Sequence, residues 1–253
     1  MLVKKEFTHK LNPSPRLSAS QVAEYLSEGN ATARRRIIIE AKYPPTCLLP
    51  RYDEVREALC KHLAKKHPTK DVLAEALNAL SRKANSAGAT DWTKGNYKIG
   101  SEAVAAFQGH ERTLGLGKTE FRIPSVGYSR LSINGVTVSV SLDLVTEVAN
   151  DNGMRMGGVI ICLWKTRTSD IPQRCQAMAM LASEAIKKVL KDGQRCDPQM
   201  CMAIDVFDGK VYRAKAHQKT LYKTVEISCS EVATIWPSVK PPANYNGPMA
   251  QAS

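Results

Sequence analysis

Apolar positions recur at three- and four-residue spacings through the first 110 residues, and the pattern changes to alternation after residue 120. Val55, Leu59 and Leu63 fall at i, i+4 and i+8, which places one apolar face on a helix over 52–66 that Pro68 closes. Leu73, Leu77 and Leu80 do the same for a helix over 71–84. Ser18 or Ser20 is positioned to cap a helix that runs to about residue 27, with Gly29 as its stop. Thr32 opens a helix through 34–42, and Tyr43-Pro44-Pro45 ends it. Residues 85–100 read as a loop because of Gly88 and Gly95-Asn96, with a short helix over 101–108 capped by Ser101.

Beyond residue 120 the signals are those of strands. Residues 121–126 are ambiguous. Asn134-Gly135 between alternating segments is a two-residue hairpin signal. Val136, Val138, Val140, Leu142 and Leu144 then alternate with Thr137, Ser139, Ser141 and Asp143, predicting one strand over nine residues. After the turn signal Asn150-Asp151-Asn152-Gly153, the apolar run 158–164 predicts a central strand buried on both faces, reaching water at Lys165. Asp170 and Pro172 open a helix to about residue 191. Strands are predicted over 200–206, 210–213 and 221–228, with a turn at Asp208-Gly209 and a short helix ending at Trp236-Pro237. The fold class is α/β (mixed α+β): a helical region over 16–110, then an α/β core over 111–236 with a β-hairpin and one right-handed parallel β-α-β crossover. Residues 1–15 and the Pro/Asn/Gly-rich 237–253 read as flexible ends.

Charge adds a partner class to this picture. The 253 residues carry 36 Lys+Arg against 24 Asp+Glu, a net charge of +12. The surplus is densest before residue 100, at Arg34-Arg35-Arg36, at Lys61, Lys65 and Lys66, and at Arg82-Lys83. Such a balance attracts polyanions, which makes DNA or RNA the expected partner. Arg34, Arg35, Arg36, Lys65 and Lys66 are the candidate contacts, although the three arginines cannot share one helix face. No apolar run is long enough to span a bilayer, so no membrane role is expected. The seven dispersed cysteines read as reduced thiols of a cytoplasmic protein, not a disulfide framework. Cys196 and Cys201 lack the further ligands that a structural zinc site needs.

The candidate chemistry centres on Asp143 and Lys165. An acid and a lysine at the ends of neighbouring strands can meet there. The carboxylate could then hold Mg²⁺, while the ammonium orients water or stabilises charge on a phosphate. The plainer reading is that each marks a strand boundary.

The segment VTVSVSLDLVTEV…GGVIICLWKTRTSDIPQRCQ resembles the core of the PD-(D/E)XK, or restriction-endonuclease-like, superfamily, over roughly residues 100–215. In that family a hairpin bears an aspartate, the next strand bears an acid and a lysine two residues apart, and a helix follows. The resemblance implies that Asp143 is the hairpin acid and Lys165 the motif lysine, followed by Thr166. It puts Gln173 or Gln176 at the helix glutamine and Glu102 at the upstream acid. It implies a Mg²⁺-dependent nuclease with Asp143 as ligand; Glu147, on the adjacent strand, is a further candidate ligand outside the family's motif. Leu163 departs from the pattern, standing where the second motif acid belongs. That departure implies either a migrated active site or an inactive nuclease-like fold kept for binding.

Two other functional readings remain beside it. A non-catalytic interaction subunit would use the basic surface for an acidic protein partner, and a homo-oligomer is the other partner expected. A nucleotide-binding protein would use Gly115-Leu116-Gly117-Lys118-Thr119, which ends like a phosphate loop but has Arg112 in place of the first glycine. His62 and His67 read as solvated, and Trp92 as a surface aromatic able to stack on a base.

Overall fold

The computed structural model describes residues 7–46, 52–65, 71–86, 88, 90–117, 119–125, 128–150, 153–165 and 170–248. Helices and mixed sheets together form the mixed α+β fold that the patterning predicts. The chain divides into two units interleaved in sequence: Met1–Leu49, Arg130–Val140 and Lys219–Ser253 form one, Pro50–Ser129 and Ser141–Gln218 the other. The expected boundary at 110/111 therefore falls inside the second unit.

The first unit holds β1 (Arg16–Ser18), α1 (Ala19–Ser27) and α2 (Ala31–Lys42). Ser18 and Gln21 cap the start of α1 reciprocally, each side chain accepting from the other's backbone N–H. The strands β3 (Tyr128–Ile133) and β4 (Val136–Ser141) meet at Asn134-Gly135, with φ of 41° and 81° as a primed hairpin turn requires. The sheet order is β1-β4-β3, with β1 parallel to β4.

The predicted strand over 221–228 is instead part of a long final helix, Lys219–Ile235. Its alternation and β-branched residues suggest a strand locally. Burial of Val225, Cys229 and Val232 at i, i+4 and i+7 decides for a helix, and leaves Ile227 exposed. The two ends expected to be flexible are also ordered where described. The Thr8 N–H bonds Asn246 O, Tyr245 stands edge-on to Tyr43 at 5.0 Å, and Lys10 and Asn12 donate to Pro44 and Lys42 carbonyls. Proline-rich composition excluded regular structure here, not backbone hydrogen bonding. Lys42, only 6% exposed, sends its ammonium to the carbonyls of Trp236 and Val239, which follow the final helix.

The second unit contains α3 (Asp53–Leu63), α4 (Asp71–Ala84) and α5 (Asp91–His110). The loop expected over 85–100 is largely helix, and α5 begins ten residues before the predicted start, capped by Thr90. Its glycines carry a low intrinsic propensity, which packing overrides. Gly100 lies against Val55 and Leu80 so closely that a Cβ would sit 3.2 Å from Val55 Cγ2. His62, expected on the surface, is 1% exposed, with Nε2 bonded to Glu111 and its ring edge-on to Phe107; His67 lies outside the described residues.

The sheet of this unit runs β2 (Phe121–Arg122), β5 (Leu144–Asn150), β6 (Gly153–Cys162), β8 (Met202–Asp205), β9 (Lys210–Arg213), with β7 (Gln194–Cys196) also on β6. The first three are antiparallel neighbours, whereas β8 is parallel to β6 after the crossover helix α6 (Ile171–Val189). The nine-residue strand predicted from Val136 is thus two, in different sheets, broken at Leu142-Asp143. Alternation continues across the break because Val140, Leu142 and Leu144 are all buried. The core gathers Val55, Leu59, Leu80, Val104, Phe107, Leu144, Val159, Ile161, Leu163 and Ile204.

Candidate functional site

Where β5 begins, the backbone of Ile161 on β6 has run past the last paired position, Leu144↔Val159. Its polar groups take other partners. Asp143 Oδ2 accepts the Ile161 N–H at 2.6 Å, and Arg56 Nη1, reaching across from α3, donates to the Ile161 carbonyl at 2.9 Å. The same guanidinium nitrogen donates to Asp143 Oδ2 at 2.6 Å. The Asp143 backbone N–H closes the set on Val159 O. With only 7% of its side chain exposed, the Asp143 carboxylate has a strong hydrogen bond and a full counter-charge in place. A groove of ≈ 390 Å³ passes over it, lined by Asp53, Arg56, Lys61, Ile123, Pro124 and Leu142. Cys60 adds a thiol at 3.5 Å from the Asp143 carbonyl; burial first, and the nearby carboxylate second, push that thiol up to about 12.

Lys165 has a different partner. It follows β6 and meets Glu102 of α5, Nζ to Oε2 at 2.5 Å, with both side chains partly exposed. The fold therefore brings together two of the positions singled out in the sequence, Lys165 and Glu102, and gives Asp143 to Arg56, a residue the sequence did not mark. Gln176 is occupied elsewhere, donating to the Arg213 carbonyl of β9 at 2.9 Å. Thr166 lies outside the described residues.

The residues do not fit Mg²⁺. Glu147 pairs with Arg122 at 2.8 Å, and four residues of extended chain set it about 13 Å along from Asp143, too far to share an ion. Leu163 is part of the apolar core, which rules out solvent and ligand at the second motif position. Among the described residues no three His, Cys, Asp or Glu side chains converge as a metal site would require. Asp143 and Glu147, the pair expected to hold a metal, each stand against an arginine instead, Arg56 and Arg122.

The glycine-lysine segment read as a phosphate loop stands in a different setting. A phosphate loop lies between a strand and a helix, whereas residues 111–119 lie between α5 and β2, with Leu116 buried in the core. Lys118 lies outside the described residues. Asp205, the last residue of the apolar strand β8, accepts the Asp208 N–H in the β8–β9 turn.

The basic clusters have separate fates. Arg34 donates to Glu28 O at 2.6 Å and lies over the Tyr25 ring, tying the start of α2 to α1. Arg35 and Arg36 are exposed, Arg36 beside Glu40. Lys65 is exposed, and Lys66 lies outside the described residues. The α4–α5 hairpin carries further cations in two grooves. Lys94 and Lys98 stand one helical turn apart and line a groove of ≈ 550 Å³ with Asn78, Ser81, Asn85 and Ser101. Arg82 and Lys83 line a second groove of ≈ 570 Å³ with Ser86, Thr90, Thr93 and Tyr97. Lys83 is paired with Glu54. Trp92 stands in the first turn of α5, 51% exposed. The sequence signal for this surface was divided between Arg82-Lys83 and an apparent loop, and only the helix over 91–110 aligns Lys94 with Lys98. Among the described residues no helix is long and apolar enough to cross a membrane. No protein-family model and no curated protein matches the chain.

Proposed function

We propose that the protein binds nucleic acid without cleaving it, through the two cation-lined grooves of the α4–α5 hairpin, on a nuclease-like core whose metal site has given way to ion pairs. The observation that carries the binding is the set of Arg82, Lys83, Lys94 and Lys98 beside hydroxyl and amide groups, with the exposed Trp92 at the same end of α5. Lysine and arginine release counterions from a phosphate chain, hydroxyl and amide groups bond phosphate oxygens, and an indole face stacks on an unpaired base. The Arg56–Asp143 pair supports the absence of catalysis, since it commits the one buried candidate ligand to a cation that the protein itself supplies. Strand β6, leading to Lys165, is followed by helix α6, which supports a nuclease-like reading of this part of the core.

The test is binding of labelled DNA by the Lys94→Ala/Lys98→Ala double variant. The affinity for duplex is expected to fall alike for different sequences, and the slope of log K against log salt to flatten by about 1.8 as two phosphate contacts are lost. Trp92→Ala is expected to weaken single-stranded binding by about 1–3 kcal/mol and duplex binding much less. Unchanged slope and affinity in the double variant would remove this face from the interaction. Strong capture of a protein with no nucleic-acid binding would favour the interaction-subunit reading.

A further inference from the structure

The 3₁₀ turn at Pro198–Met200 carries a cysteine on either side, and the fold folds those two back on one another. Cys196, the last residue of β7, lies with Sγ 3.7 Å from the Sγ of Cys201. The turn between them is bolted to β5 and β6: Arg155 and Met156 of β6 hold Asp197, the first as an ion pair at 2.9 Å and the second by accepting the Asp197 N–H, and Thr146 Oγ1 of β5 donates to Met200 O. Cys201 is fully buried, its sulfur accepting the Gly158 N–H at 3.4 Å, whereas Cys196 is partly exposed. Ser183 Oγ of α6 lies 3.4 Å from Cys196 Sγ.

We propose that Cys196 and Cys201 form a peroxide-oxidisable dithiol, Cys196 being the sulfur attacked first and Cys201 the one that resolves it. The Cys196 thiolate gives an electron pair to one peroxide oxygen, the O–O bond breaks, and the departing hydroxide takes a proton to become water, leaving a sulfenic acid. The Cys201 sulfur then attacks Cys196 Sγ, the S–O bond breaks, and hydroxide leaves with the Cys201 proton as a second water. Two thiols and one hydrogen peroxide give one disulfide and two waters. The sulfurs need to approach by less than 2 Å to reach a bond of about 2.05 Å.

The surroundings favour this order. Hydrogen bonding from Cys201 comes first, then from Ser183, and with the Lys187 charge it outweighs burial and the opposing Glu184 carboxylate, bringing the Cys196 thiol down to about 7. The bond to Cys196 and burial hold the Cys201 thiol up. Cys162, also bonded to a neighbouring thiol at Cys175, is fully buried and its thiol is raised, so it serves as an internal control.

Trypsin cuts after Arg195 and Lys210, so both cysteines fall in one peptide, 196–210. After brief treatment of the full-length folded protein with hydrogen peroxide, then alkylation and digestion, that peptide is expected to be two mass units light and unalkylated. The peptides bearing Cys162 and Cys175 are expected to remain alkylated. The rate should rise with pH and be half-maximal at about 7, following the Cys196 thiolate. In Cys201→Ser the disulfide is expected to vanish and a dimedone adduct to appear at Cys196. A 196–210 peptide oxidised no faster than the Cys162 and Cys175 peptides in the unmodified sequence, or a rate indifferent to pH between 6 and 8, would overturn the proposal.

Discussion

Gly157→Ala is expected to destabilise the second unit by about 3 kcal/mol or more, measured by denaturant unfolding. A Cβ at Gly157 would lie 2.2 Å from the carbonyl oxygen of Met200, a backbone atom with no rotamer to escape into. The carbonyl is fixed from both ends, by Thr146 Oγ1 and by the Asp197 contacts to β6. Either the 3₁₀ turn lifts from the sheet or β6 shifts against β5 and β8. Gly95→Ala is the matched control: its Cβ meets nothing within 4 Å on α5, and the exchange is expected to stabilise by about 0.5–1 kcal/mol through helix propensity. Equal behaviour of the two variants would mean that the turn is not seated on β6 as described.

Arg56→Met is expected to cost about 2–3 kcal/mol, well above the ~0–1 kcal/mol of an exposed pair, because the half-exposed guanidinium serves a buried carboxylate and a strand carbonyl at once. Its loss leaves Asp143 as a buried charge with one N–H for company and Ile161 O without its donor. Asp143→Asn in the same background is expected to restore part of the loss, since an amide oxygen can still accept the Ile161 N–H and carries no charge. A double-mutant cycle on the two residues measures the coupling. A cost below about 0.5 kcal/mol for Arg56→Met would place the pair with ordinary surface ion pairs and leave Asp143 open to another cation.

What could be read from the sequence and what could not divide along physical lines. The hairpin at Asn134-Gly135 was legible because two positive φ angles demand those residue types. Helix α4 was legible from its leucine spacing, and β6 from an apolar run that had to be buried on both sides. Helix α5 was not, because Gly95 and Gly100 look like breakers until Val55 and Leu80 are packed against the second of them. The break after Ser141 was hidden by an alternation that two different sheets share. Arg56 stands 87 residues from Asp143, and no local pattern announces that a helix side chain will complete a strand's hydrogen bonding. Asp143 stood out in the sequence as an acid interrupting an apolar alternation; its partner came from tertiary structure alone.

The most direct test of binding without cleavage is the fluorescence anisotropy of end-labelled DNA titrated with the full-length protein, across about 0.05–0.2 M salt, with Mg²⁺ or with EDTA. The account predicts saturable binding with a steep salt slope, Mg²⁺ weakening it only as added salt does, and DNA recovered at full length in both conditions. Shortened DNA in the Mg²⁺ series, lost in Asp143→Asn, would contradict it.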